Sequence, residues 1–246
     1  MHQGNRPRNL RDISHLYLSK FDTKGEVAAG SVALVLLASL GGSPLRAWLS
    51  AGLASAFAAQ NADVLLLDAG GSMPNAGYYF ALEPGRYLRP VLYADAVVEM
   101  DTGRGVRCRC SRDPGLLEYR DDPPEAGLRV ILAAFSGAGG MRGLFDSFPG
   151  DIPAFLLTVS DVYPGGARGI VREIEDAFPG IPSLALFPGG DGEREGGIEP
   201  CPFPAEMLES VSRRKPPVSV FLTGLAGEIL QRLGSRKRGA AHDRIG

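Results

Sequence analysis

The sequence predicts an α/β domain built on a single doubly wound, mostly parallel sheet with helices on both faces. Three observations carry this. Apolar runs of strand length at 31–38 and 63–68 are continuous rather than alternating, the pattern of strands buried on both faces. Stretches with apolar residues at helical spacing follow them, so strand and helix patterns alternate along the chain. Glycines gather where the strand runs end, at Gly41-Gly42, Gly70-Gly71, Gly137-Ala138-Gly139-Gly140 and Gly189-Gly190. That is the edge at which doubly wound sheets bind ligands, and glycine lets the backbone approach them closely.

With 246 residues, 44% hydrophobic and 22% charged, the chain can bury one large core. No Pro/Ser-rich linker divides it, so one domain is expected over 28–234, between a basic arm at 1–27 and a basic, flexible tail at 235–246. The net charge of −2 offers no global attraction to nucleic acid or anionic lipid, and nucleic acid is not an expected partner. The first twenty residues are polar and basic. The apolar run at 32–40 falls short of the ~20 residues of a spanning helix. Three cysteines are too few for a disulfide framework, and a cytoplasmic, reducing setting is expected.

The elements follow in order. The arm sets Arg6, Arg8, Arg11 and Lys20 against Asp12 and contains one short helix pattern, in which Leu10, Ile13 and Tyr17 share a face. The strand at 31–38 ends in the turn Gly41-Gly42-Ser43-Pro44. Leu49, Leu53 and Phe57, with alanines between them, then make a helix packed on the sheet. The strand at 63–68 closes a strand–helix–strand unit, for which parallel pairing of the two strands by a right-handed crossover is expected. Further strands are read at 105–110, 128–135, 152–160 and 183–187, and helices at 165–177, 205–213 and 221–233.

Cys108 and Cys110 are two apart on a strand and so point to one side. A metal or redox pair is one reading. Two half-buried thiols facing the core are the other, favoured because no second cysteine pair is near and the histidines are His2, His15 and His242. No Ser/His/Asp, Cys/His or paired-carboxylate arrangement stands out, so neither a catalytic set nor a metal set is expected.

The segment 35–49, continuing through Leu53, Phe57 and the strand that ends at Asp68, resembles the opening of the MinD/ParA family of P-loop ATPases. There a strand leads into the phosphate loop K-G-G-x-G-K-[ST]-[ST], then a helix and a strand ending in Asp. Met73-Pro74-Asn75 is similar to a Pro/Asn turn of MinD-like proteins. Cys201-Pro202-Phe203-Pro204, Pro216-Pro217-Val218 and the helix at 224–233 resemble the family's C-terminal pattern. The likeness spans roughly residues 31–234 and implies a P-loop NTPase-like fold.

Position by position, the resemblance keeps Gly41 and Gly42 but puts Leu40 at the signature lysine, Pro44 at the third glycine and Leu45 at the phosphate lysine. Arg46 and Ala47 fall on the two hydroxyl positions, the first of which holds Mg²⁺ in the family. Proline has no amide to donate, leucine no charge, and arginine repels a metal, although Arg46 could still meet an anion as a fork of donors. Asp68 is retained. Gly70 replaces the next acid, Phe135 the metal-side Asp, and no adenine-reading asparagine is found near Phe187-Pro188. Lost together, these positioned charges imply lost hydrolysis.

The resemblance implies a MinD/ParA-like pseudo-ATPase that regulates or positions a flagellum, pilus, secretion or partition apparatus through a protein partner. A homodimer is also implied. A weak membrane contact at the inner face would use the C-terminal helix and Arg236, Lys237 and Arg238. No cofactor is expected, unless Gly41, Gly42, Ser43, Arg46 and Asp68 retain a residual site for Mg-ATP or an anion. Otherwise Ser43 and Pro44 simply start a helix and Asp68 caps a turn. The alternatives are an active ATPase with an atypical loop, or a dinucleotide oxidoreductase that uses 137–143 with Asp161.

Overall fold

The computed structural model describes residues 30–40, 43–69, 75–82, 84–93, 96–103, 105–117, 127–136, 139–149, 152–160, 164–188, 200–203 and 220–242. The strands are β1 (Ser31–Leu40), β2 (Asp63–Ala69), β3 (Val97–Asp101), β4 (Val106–Ser111), β5 (Leu128–Ser136), β6 (Ala154–Ser160), β7 (Ser183–Pro188) and β8 (Pro200–Phe203). The helices are α1 (Ser43–Ala58), α2 (Ala76–Tyr79), α3 (Pro84–Tyr87), α4 (Arg89–Leu92), α5 (Gly139–Asp146), α6 (Pro164–Ala177) and α7 (Val220–His242). The strands form one sheet in the order β3-β4-β2-β5-β1-β6-β7-β8. All neighbours are parallel except β3 and β4.

Period-two geometry divides each buried strand between two cores. On β1, Val35 and Leu37 pack beneath α1 and α7, whereas Leu34, Leu36 and Ala38 pack with Met141 and Leu144 of α5 and Ile174 of α6. Both faces are therefore dry, which is why β1, β2, β5 and β6 read as continuous apolar runs. The expected α/β class, doubly wound and mostly parallel, is the observed one.

The strand–helix–strand unit differs from expectation in one respect. β1 and β2 are parallel but not adjacent, because β5 lies between them and pairs with both. A 16-residue crossover helix is long enough to step over one intervening strand. The interposed β5 buries Val130, Ile131, Leu132, Ala133, Ala134 and Phe135 at the sheet's centre.

The expected strands and helices within the described residues form, with ends shifted by one or two positions except at the end of the last helix; the helix expected at 205–213 and the arm at 1–27 lie outside them. The helix expected at 221–233 runs further, α7 ending at His242. β3 was not expected because only Val98 and Met100 face inward, too short an alternation to stand out along the chain. It is an edge strand, exposed on that side, folded back on β4 through Gly103 and Gly105 at φ 68° and 73°, conformations glycine adopts without strain. The Thr102 N–H closes this hairpin on the Val106 carbonyl at 3.1 Å.

Truncating a side chain in the doubly covered part of the sheet should cost most. Leu36→Ala is expected to lose about 2–5 kcal/mol, whereas Leu92→Ala, at a position 68% exposed, should stay within about 0.5 kcal/mol. Urea unfolding of the two variants checks both values.

Candidate functional site

On β2, Val64, Leu66 and Asp68 alternate onto the face covered by α1, so the last of them carries a carboxylate into an apolar layer. Helical spacing puts Arg46 of α1 on the same side as Leu49, Ser50 and Leu53, all fully buried. Arg46 is itself 0% exposed. Its Nη2 lies 3.5 Å from Asp68 Oδ1, with both side chains at 0% exposure. The other carboxylate oxygen, Oδ2, accepts the Ala76 N–H at 2.7 Å. Asp68 thus binds α1 on one side and the start of α2 on the other.

Asn75 completes that second attachment. Its Oδ1 caps α2 by accepting the Tyr78 N–H at 3.2 Å, and its Nδ2 donates to the Tyr87 carbonyl at 2.6 Å, tying α2 to α3. Tyr78 stacks edge-on with Tyr79 and Tyr87, with ring centroids 5.3 and 5.9 Å apart. Burial, with a smaller contribution from Tyr78, pushes the Tyr79 hydroxyl up to about 12. Gly77 is required at this crossing, because a Cβ there would stand 2.7 Å from Tyr87 Cβ.

β4 lies beside β2, with Cys110 in register with Asp68 and Cys108 in register with Leu66. Both thiols face the α1 side, as expected, but they are wholly rather than half buried, at 0% and 2% exposure, because α2 packs over β4. Their sulfurs are 3.4 Å apart and both are free. The Cys110 thiol is held well above its ordinary titration range, first by its bond to Cys108, then by burial and the neighbouring charges, with the Gly77 N–H acting in the opposite direction.

Of the residues singled out from the sequence, the fold brings Arg46 and Asp68 together. Ser43 opens α1, and Pro44 follows at an exposed position in the first turn. Gly41 and Gly42 lie outside the described residues, as do Gly70, Gly137 and Asp161. In the dinucleotide alternative, Gly140 would leave room for a pyrophosphate. Its missing Cβ instead admits Pro114, whose Cγ would be 2.7 Å away. Asn75, Gly77, Tyr79 and Met100 were not marked as site residues, since their roles arise from contacts between β2, α2 and the late-joining β3. Among the described residues, no group of three His, Cys, Asp or Glu is placed to hold a metal ion. Among them, too, no helix is long and apolar enough to cross a membrane.

No family model matches the chain, and no curated protein matches it. Solved structures do. A chain of the MinC:MinD cell division protein complex of Aquifex aeolicus is similar with a TM-score of 0.53 and 14% identity, over 81% of this chain and 96% of that one. The MinD cell division protein of Aquifex aeolicus is similar with a TM-score of 0.48 and 15% identity, over 81% of this chain and 97% of that one. The first likeness shows the fold: an α/β sheet of the P-loop NTPase type.

Removing one member of a buried ion pair strands the other. Asp68→Ala is therefore expected to destabilise the protein by about 3–5 kcal/mol, and the apolar double variant Arg46→Met/Asp68→Leu to regain most of that. Additive losses in a double-mutant cycle would refute the coupling. Gly77→Ala should cost about 1–3 kcal/mol through overpacking against Tyr87, measured by urea unfolding.

Proposed function

We propose that this chain is a MinD/ParA-like protein that has given up ATP hydrolysis and acts as a regulatory or positioning component through protein contacts. The observation that carries the proposal is the sealed Arg46–Asp68 pair. The resemblance aligns Leu45 with the phosphate lysine, and Leu45 is 4% exposed in the core. It aligns Arg46 with the hydroxyl that would hold Mg²⁺, and Arg46 turns a cation onto the retained aspartate. A guanidinium at that position repels a divalent ion and neutralises the acid that would otherwise hold water or metal. Pro44 removes one of the amides with which such a loop cradles phosphate.

These residues do not fit Mg-ATP. What the pair supplies instead is a fixed link between α1 and the chain entering α2, through Oδ1 to Arg46 and Oδ2 to the Ala76 amide. In a nucleotide-driven protein the corresponding elements answer to the ligand. Here an internal ion pair holds them in one arrangement, which suits a constitutive binding surface. The partner is then a protein of a flagellar, pilus, secretion or partition apparatus. A homodimer belongs to the same proposal, as does a weak membrane contact through the end of α7, where Arg236, Lys237 and Arg238 lie.

A thermal-shift panel of ATP, ADP and NAD(P), with and without Mg²⁺, tests the proposal alongside a phosphate-release assay. No turnover and no shift are expected. A ligand present at a hundred times its dissociation constant would add about 2.7 kcal/mol of apparent stability, so binding would be plain. Phosphate release abolished by Asp68→Ala would establish an active ATPase, and a shift with NAD(P) would favour the glycines at 137–143.

A further inference from the structure

The sulfur chemistry of β3 and β4 is not used by the function proposed above. Cys108 and Cys110 project from β4 into the core, and their sulfurs touch at 3.4 Å. The antiparallel register sets Met100 of β3 directly opposite Cys108. Directly opposed residues share a face, with Cβ atoms roughly 4.5–5.5 Å apart. Met100 is 1% exposed and belongs to the same buried cluster as both cysteines. Three sulfur-bearing side chains therefore meet one strand in from the sheet edge.

Gly77 of α2 forms the roof. The position a Cβ would take there lies 3.3 Å from the Met100 methyl. The other face of the same strands is ionic, with Glu99 bonded to Arg109 at 2.8 Å and Asp101 in register with Arg107. The hairpin is thus hard and charged outside, and soft inside.

This donor set is selective. Mg²⁺ and Ca²⁺ take oxygen ligands, and a structural Zn²⁺ site takes four N or S ligands. A carboxylate or imidazole close enough to make a third ligand with the two cysteines is absent among the described residues. Two thiolates with a thioether match a soft ion, Cu(I) above all. Metal–sulfur bonds of about 2.3 Å at trigonal angles would set the sulfurs about 4 Å apart, so a small outward rotation of the two side chains suffices. A disulfide suits the pair less well, since residues two apart on a strand sit at roughly the limit of Cα separation, about 6.8 Å, that such bonds accept.

We propose that Cys108 and Cys110, with the Met100 thioether as a weaker third donor, form a buried binding site for Cu(I). On binding, two S–H bonds break, two S–Cu bonds form, and two protons leave to solvent while the copper remains Cu(I).

The test is anaerobic titration of the reduced full-length protein with Cu(I) in competition with bicinchoninate, read by chelator colour and by ultraviolet sulfur-to-copper charge transfer. One ion per chain is expected. Cys201→Ser should keep it, Cys108→Ser and Cys110→Ser should each lose it, and Met100→Leu should weaken retention without abolishing it. Circular dichroism verifies that the variants fold. X-ray absorption of the wild-type complex, which needs no variant, should show a sulfur-only shell. Failure of the wild type to retain the ion, retention by a Cys108→Ala/Cys110→Ala double variant, or a shell containing nitrogen or oxygen would overturn the site. None of these outcomes bears on ATP turnover.

Discussion

A guanidinium enclosed at zero exposure must keep its counter-charge, and that requirement organises the carboxyl end of this sheet. Arg46 sits within the first turn of α1, so its partner has to lie where the helix meets the sheet. Asp68 is the residue that β2 delivers there. Because the second carboxylate oxygen holds the Ala76 amide, the position of α2 follows from the same interaction, and α3 follows through Asn75 and Tyr87. Burying two charges brings little net stability compared with a well-packed apolar pair. What the pair fixes is geometry: one helix seated on one strand, and one incoming loop anchored beside both.

Asp68 takes on its meaning in that setting. In the fold it is a structural acceptor whose two oxygens are directed at two protein groups. Arg46 and Asp68 therefore form one unit rather than two separate features, since the buried arginine requires the acid.

The layered sheet was legible because double burial leaves its mark on composition. The middles of β1, β2, β5 and β6, at 33–38, 64–67, 130–135 and 154–157, contain no polar residue, and α1 shows its stripe at Leu49, Leu53 and Phe57. Strand order was not legible, since apolarity says that a strand is central but not which neighbour it takes, and β5 separates β1 from β2. At the candidate site, Arg46 and Asp68 could each be named from the sequence, but not joined: their meeting depends on the rotation of α1 over a strand two places away in the sheet. Met100 and Gly77 left no signal, because Met100 belongs to a strand of five residues with only two facing inward and Gly77 matters only through the space its absent side chain leaves for Tyr87.

The two margins of the sheet carry a further implication. A bare strand edge is a template on which other chains can polymerise, and natural proteins blunt it with shortness, charge or proline. β3 has five residues, two of them acidic, and β8 has four, of which Pro200 and Pro202 lack the amide that a neighbouring strand would need. Each border is thereby protected against runaway edge-to-edge aggregation.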